Sequence, residues 1–407
     1  MKILHTADWH LGHRLHENSQ YEEQKLFLNW LGSTIQSNKI DLLLVSGDVF
    51  DTGVPSSQSL KLYFDFLVNL IKTDCKHIVI TGGNHDSPGT INAPKELLNT
   101  LSIKVVGKST GNIEDEVFTL SFGDEKLVVA ATPYLRDQDI RRAVEGESFD
   151  EITDRYKQAL VNHYNTAAEY CATLEYKQTP VIAMGHLFAV GGSVSDSEQS
   201  IYVGTLGHIG ADDFPKMFDY IALGHLHRSQ IVGGKDHIRY SGSPNILSFS
   251  EVGYDKNVII LSIEKNKLTN IEELSIPKFR EVVRINGKLD DCISQLHTIK
   301  SNDYQLTPWV EVVLDDKSNT TIGSTDIYKA VEGLPLEVLT VSLKDHKRTE
   351  GIESLVQNVK NIRELTPMEV FEMKCKEEGF VIKENQEVLD AFSEALQIAQ
   401  EDTVEEL

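Results

Sequence analysis

The sequence predicts an α/β fold: a β-sandwich core flanked by helices, followed by a small α+β domain and a helical tail. Three observations predict it. Runs rich in Val, Ile and Leu alternate with helical patterns through residues 1–275, as they do in a layered α/β core. The pattern restarts beyond Ser275-Ile276-Pro277-Lys278 as a shorter strand and helix series. Past a basic linker, two amphipathic stretches stand apart from both units.

In chain order, residues 2–6, 41–46, 77–81, 104–106, 117–132, 179–184, 219–223, 237–241 and 257–263 read as strands. They are aliphatic runs bounded by Gly, Asn and Asp turns. Between Tyr134 and Thr179 the rhythm breaks into a polar insertion with a helix over Glu151 to Glu175, and with Arg136, Arg141, Arg142, Arg155 and Lys157. That basic face could meet a nucleic acid or simply be solvated. Residues 276–350 form the second unit, with strands over Glu281 to Ile285, Trp309 to Leu314 and Leu336 to Leu343. Helices over Leu289 to Ile299 and Ser324 to Val331 connect them in βαβαβ order. Lys344, His346, Lys347 and Arg348 open the linker into residues 351–407. There Thr366-Pro367-Met368-Glu369 is a helix start, with Thr as N-cap and Pro in the first turn. Met368, Phe371 and Cys375 share one face of this helix, and Val388, Leu389, Phe392, Leu396 and Ala399 form the stripe of a second. Such stripes need covering, either by the chain's own domain or by a partner's groove.

Composition bounds the function. The 407 residues are 40% hydrophobic and 25% charged, ordinary for a globular protein. A formal net charge of -23 argues against broad, charge-driven DNA binding, although it leaves DNA open as a substrate. No signal-peptide pattern opens the sequence, and no apolar run approaches the roughly 20 residues that span a bilayer. Cys75, Cys171, Cys292 and Cys375 form no CxxC pair, so a reducing cytoplasm without membrane attachment is expected.

The chemistry lies in blocks that follow the apolar runs: Asp8-Trp9-His10, Gly47-Asp48-Val49-Phe50-Asp51, Gly83-Asn84-His85-Asp86, Gly185-His186 and Gly224-His225-Leu226-His227. Singly, a Gly-His or an Asp-x-His means little, and Gly-Asn-His-Asp could be only a turn. Jointly, each at a strand end, they predict ligands gathered along one edge of a sheet. Carboxylate and amide oxygens mixed with imidazole, without thiolate, suit two ions of Mn²⁺, Fe or Zn better than Mg²⁺ alone, with Mn²⁺ the first choice. Such ions stand roughly 3.5–4 Å apart and share a bridging ligand, for which Asp48 is the candidate. Asp8 and His10 can reach one ion and Asn84 the other, while His225 and His227 could each take a different one. His85 follows a ligand, so its ring should face the substrate as general acid or transition-state stabiliser. Asp51 is the candidate carboxylate to orient it. Of the remaining histidines, His13 and His16 are the ones expected near the site.

This set resembles the calcineurin-like metallophosphoesterase superfamily. The opening His5-Thr6-Ala7-Asp8-Trp9-His10-Leu11-Gly12, with Tyr240-Ser241-Gly242-Ser243-Pro244, is similar to the nuclease subunits of bacterial DNA double-strand-break repair complexes. The likeness runs through the whole chain. It implies a metallophosphoesterase β-sandwich with a capping domain, one ion held by Asp8, His10, Asp48 and His227, and the other by Asp48, Asn84, His186 and His225. It further implies that His85 is required for cleavage and that Asp51 stands where relatives pair a carboxylate with it. Mn²⁺-dependent 3′ to 5′ exonuclease action on double-stranded DNA, endonuclease action on single strands and hairpins, and a homodimer are also implied. The tail, with Phe371 and Phe392, would dock on a coiled-coil ATPase. Local DNA contacts could come from Arg136, Arg228, Lys344, Lys347 and Arg348, and a dimer contact from Leu62, Phe64 or Phe66 if these are not core. The alternatives are a stand-alone phosphatase or cyclic-nucleotide phosphodiesterase, which predicts a chain ending near residue 275, and an idle scaffold, which predicts a lost ligand.

Overall fold

Two six-stranded sheets stack face to face in the computed structural model, which describes residues 1–140, 149–174, 179–190, 209–299, 304–315 and 320–343. The expected tail helices, the cluster at 344–348, and Arg141 and Arg142 lie outside the described residues. The first sheet runs Lys267–Ser275, Asn257–Glu264, Lys2–Thr6, Leu42–Ser46, His77–Thr81, Ile103–Val106 in space, its last four strands parallel. The second runs Gln230–Val232, Lys235–Tyr240, Tyr220–Gly224, Val181–His186, Glu125–Ala131, Val117–Phe122, its four central strands parallel.

Residues of one strand serve two cores in turn, because successive side chains leave opposite faces. Leu42 and Leu44 enter the layer between the sheets with Leu127, Val129, Ile182 and Met184. Leu43 and Val45 point outward against Phe27, Leu31 and Phe66 of helices Tyr21–Asn38 and Ser57–Leu70. Burial on both faces explains why these strands read as unbroken apolar runs. Helix Phe149–Thr173 covers the second sheet with Tyr164, Ala167, Ala168 and Cys171. Of the three aromatic and aliphatic candidates on helix Ser57–Leu70, Leu62 and Phe66 are core, and only Phe64 reaches the surface. The expected single strand over 117–132 is a hairpin, turned at Gly123 with φ 73°.

Beyond Pro277 comes a parallel sheet of Arg280–Gly287, Leu306–Leu314 and Glu337–Leu343. Its crossovers are helices Leu289–Leu296 and Thr320–Ala330, as parallel neighbours require. Ile285, Cys292, Leu296, Val310, Val312, Ile327 and Val338 form its core. A separate cluster of Leu15, Phe249, Val282 and Trp309 joins it to the sandwich. Arg280 reinforces this junction, donating to Glu23 and stacking 3.8 Å above the Trp309 ring. No helix among the described residues is long and apolar enough to cross a membrane, and Cys75, Cys171 and Cys292 are free thiols.

Candidate metal centre

The five blocks converge, but from two sheets rather than along the edge of one. Strands Lys2–Thr6, Leu42–Ser46 and His77–Thr81 deliver the first three, and Val181–His186 and Tyr220–Gly224 of the facing sheet deliver the other two. Ser46 marks the seam, where its hydroxyl donates across to the Ala222 carbonyl at 3.0 Å.

The main chain turns sharply as it leaves each strand. Asp8, His10, Asp48 and His225 all hold positive φ, at 53°, 44°, 48° and 105°, and each such residue costs about 1–3 kcal/mol. Mutual hydrogen bonds over-determine these turns. The His225 N–H donates to Asp8 Oδ1 at 2.9 Å, the His10 N–H to the Asp48 carbonyl at 3.0 Å, and the His85 N–H to Asp48 Oδ1 at 2.9 Å. Gly83 is required here, since a Cβ on it would run into the Asp48 backbone nitrogen.

Asp48 sits between two sets of donors. Its Oδ2 lies 3.5 Å from His10 Nε2 and 3.2 Å from His186 Nε2. On the His10 side, ligand atoms of Asp8, His10 and His227 lie within 4.8 Å of one another, and those of Asp8, Asp48 and His186 do so on the other. Asn84 completes the second side, its Oδ1 being 3.0 Å from His186 Nε2 and 3.1 Å from His225 Nδ1.

The protons show why this arrangement suits cations. His186 Nδ1 lies 3.0 Å from the Ser46 carbonyl, which can only accept, so Nδ1 carries a hydrogen. In the neutral ring Nε2 then aims a lone pair at two oxygens, which is repulsive unless a cation lies between them. His10 repeats the pattern. Its Nδ1 donates to Asp51 Oδ1 at 3.1 Å, while Nε2 is buried, without a hydrogen-bond partner among the described residues, and faces Asp48. Burial pushes His10 down to about 4, and burial with the neighbouring His186 charge takes His225 to about 3, so both rings are neutral, as ligands must be. Burial also opposes charge on His186, yet the Asp48 carboxylate and its hydrogen bond outweigh that and lift it to about 9. Without a cation, a proton takes the metal's place on that nitrogen.

The expected pairing of the Asp51 carboxylate with His85 is not made. His10 and His13 take that carboxylate, the latter at 2.8 Å, and His85 Nδ1 donates instead to the Asp51 main-chain carbonyl at 2.8 Å. Two imidazoles standing closer outcompete the third. The His85 ring packs edge-on against His10, with centroids 4.8 Å apart. His16 turns outward against Phe249, outside the cluster.

Sequence reasoning missed three supports. Buried Asp86 accepts from the N–H groups of Val49, Phe50 and Gly83, fixing the turns on both sides of Asp48. Gln24 bridges the His10 carbonyl and the Gly12 N–H. Glu251, wholly buried, receives His227 Nδ1 at 2.9 Å and Lys256 Nζ at 2.7 Å. Burial disfavours its charge, but Lys256 and the His227 hydrogen bond hold it at about 2. Asp86 was visible in its block, whereas Glu251 carries no local signal because it lies in a short helical turn 24 residues past His227.

Imidazoles and carboxylates gathered around Asp8 and Asp48 form a candidate metal centre of the kind a phosphoesterase uses, and residues 1–229 match the calcineurin-like phosphoesterase family. Residues 278–378 match a domain described as the type 5 capsule protein repressor C-terminal domain. Over 397 residues the chain is 36% identical to the SbcD component of nuclease SbcCD from Escherichia coli strain K12, covering 97% of this chain and 98% of that protein. The SbcD proteins of Rhodobacter capsulatus and Bacillus subtilis are 31% and 30% identical, over 84% and 87% of this chain and 87% and 89% of their own. The chain belongs to the SbcD nucleases, within the calcineurin-like phosphoesterases.

Proposed function

We propose that this chain is a Mn²⁺-dependent DNA nuclease subunit, cutting double-stranded ends 3′ to 5′ and single strands or hairpins internally. It does so as part of double-strand-break processing in the cytoplasm. The observation that carries the reading is the Asp48 carboxylate flanked by His10 and His186, each with a ring nitrogen turned to it. Asp8, His10, Asp48 and His227 would hold one ion, and Asp48, Asn84, His186 and His225 would hold the other. When bound, such ions activate water at neutral pH and offset charge on the phosphoryl oxygens. Their donor set of hard oxygens and imidazole favours Mn²⁺ over Mg²⁺.

The chain's own residues do the rest. Asp51 and Glu251 fix the rotation of His10 and His227 by accepting their Nδ1 protons. His85, anchored through its main chain on Asp48 and through Nδ1 on the Asp51 carbonyl, holds a proton at Nε2 for the departing oxygen. Arg136 and Arg228 are candidate contacts to the DNA backbone.

The relatives are named as parts of SbcCD, which supports an SbcC-type coiled-coil ATPase as partner, engaged by the C-terminal segment 351–407. Residues 1–275 act as nuclease domain and 276–350 as capping domain. A homodimer is supported by Phe64, Val68 and Ile71, apolar side chains exposed by 36%, 52% and 39% at helical spacing on or beside Ser57–Leu70. Cleavage of a labelled DNA hairpin with Mn²⁺ or Mg²⁺, with and without the ATPase, tests the proposal. Hydrolysis of small diesters only, leaving hairpins intact, refutes it.

A further inference from the structure

We propose that the main chain of Leu247 is a clamp that positions His10 and His227 as one unit, with His13 and Glu251 as its positioning residues. The inference rests on the reading of Asp8, His10, Asp48 and His227 as ligands of one ion. A metal-binding imidazole commonly gives its second N–H to a carboxylate, and losing that partner costs about 10–100-fold in metal affinity. Here the two carboxylates are joined. His10 Nδ1 and His13 Nδ1 meet the same oxygen of Asp51, at 3.1 and 2.8 Å. His13 Nε2 then lies 2.9 Å from the Leu247 carbonyl. The Leu247 N–H donates to Glu251 Oε2 at 3.2 Å, and the other Glu251 oxygen takes His227 Nδ1 at 2.9 Å. The His10 and His227 rings meet edge to face, centroids 5.2 Å apart, and close the circuit.

Lys256 locks the far side. Its Nζ reaches Glu251 Oε2 at 2.7 Å, Ser243 Oγ at 2.7 Å and the His227 carbonyl at 3.2 Å. Gln20 holds the neighbouring Ile246 carbonyl at 2.6 Å. Among the described residues the second ion's histidines have no carboxylate backing, since His186 leans on a main-chain carbonyl and His225 faces Asn84. The clamp therefore acts on one metal position and leaves the other alone.

Titration of the full-length chain with Mn²⁺, followed by calorimetry and by the electron paramagnetic resonance of the bound ions, reads this without any turnover. The wild type takes up two ions with a spin-coupled signal. Glu251→Gln turns an amide NH₂ toward Leu247 N–H or His227 Nδ1–H, and His13→Ala, at a half-buried position, cuts the link to Leu247. Each weakens one ion by about 10–100-fold, leaves the other within about threefold, and replaces the coupled signal by that of an isolated Mn²⁺. Because both act on one unit, the double variant loses at most about tenfold more than the worse single one, not the product. Equal weakening of both ions, no weakening, or full multiplication in the double variant overturns the clamp alone. A wild-type chain that takes up fewer than two Mn²⁺ overturns the ligand assignment and the clamp with it.

Discussion

Replacing His85 by Ala separates proton transfer from metal binding. Its Nδ1 proton is committed to the Asp51 carbonyl at 2.8 Å, so Nε2 is the atom that can serve a leaving oxygen. A positioned general acid contributes about 10²–10⁴-fold, or about 3–5.5 kcal/mol of barrier. The ring also packs on His10 at 4.8 Å, a contact worth about 0.5–1.5 kcal/mol, so indirect damage to a ligand accounts for roughly tenfold at most. The two contributions are distinguishable by leaving group. On a DNA phosphodiester, His85→Ala should lose about 10²–10⁴ in kcat. On a diester with a nitrophenolate leaving group, which departs without a proton, the loss should stay within about tenfold. Quenched-flow cleavage with parallel metal analysis measures both. Equal losses on the two substrates at full Mn²⁺ content would refute the general-acid role.

Two further outcomes are expected. Mn²⁺ affinity should climb between about pH 6 and pH 9, because metal competes with a proton on His186, raised to about 9, and on Asp8, which burial raises to about 7; an affinity that is flat over this range contradicts the ligand roles of both. Val68→Glu should shift sedimentation toward a single chain without lowering thermal stability, since the side chain is 52% exposed and outside the core; an unchanged sedimentation coefficient removes this face from the dimer.

Much of the candidate site was legible because donor side chains at strand ends obey local grammar. An apolar run, a Gly turn and then a donor identify Asp48, Asn84, His186, His225 and His227 whatever the strand order. The order itself was not legible. Strands buried on both faces look alike in sequence, so nothing marked Val181–His186 and Tyr220–Gly224 as members of a facing sheet. The partners of the ligands were harder still. Asp51 was expected beside His85 because both lie in recognisable blocks, but competition among three imidazoles for one carboxylate is decided by distance, which spacing does not encode. Glu251 and Lys256 belong to a loop whose residues follow no periodicity. Their role exists only once the loop folds back onto His227.

The seam between the two sheets, marked by Ser46 and Ala222, has a consequence for how the chain becomes competent. Strand Leu42–Ser46 brings Asp48 early, whereas His225 and His227 emerge only with Tyr220–Gly224. On the proposed ligand sets, neither half of the sandwich supplies all the donors by itself, so a half-folded chain would lack a complete site. Ions bound by those proposed sets would tie the halves together, adding about 2.7 kcal/mol per site at a hundredfold excess over Kd. The hazard of a free cutting activity is thus deferred until the last ligand strand has docked.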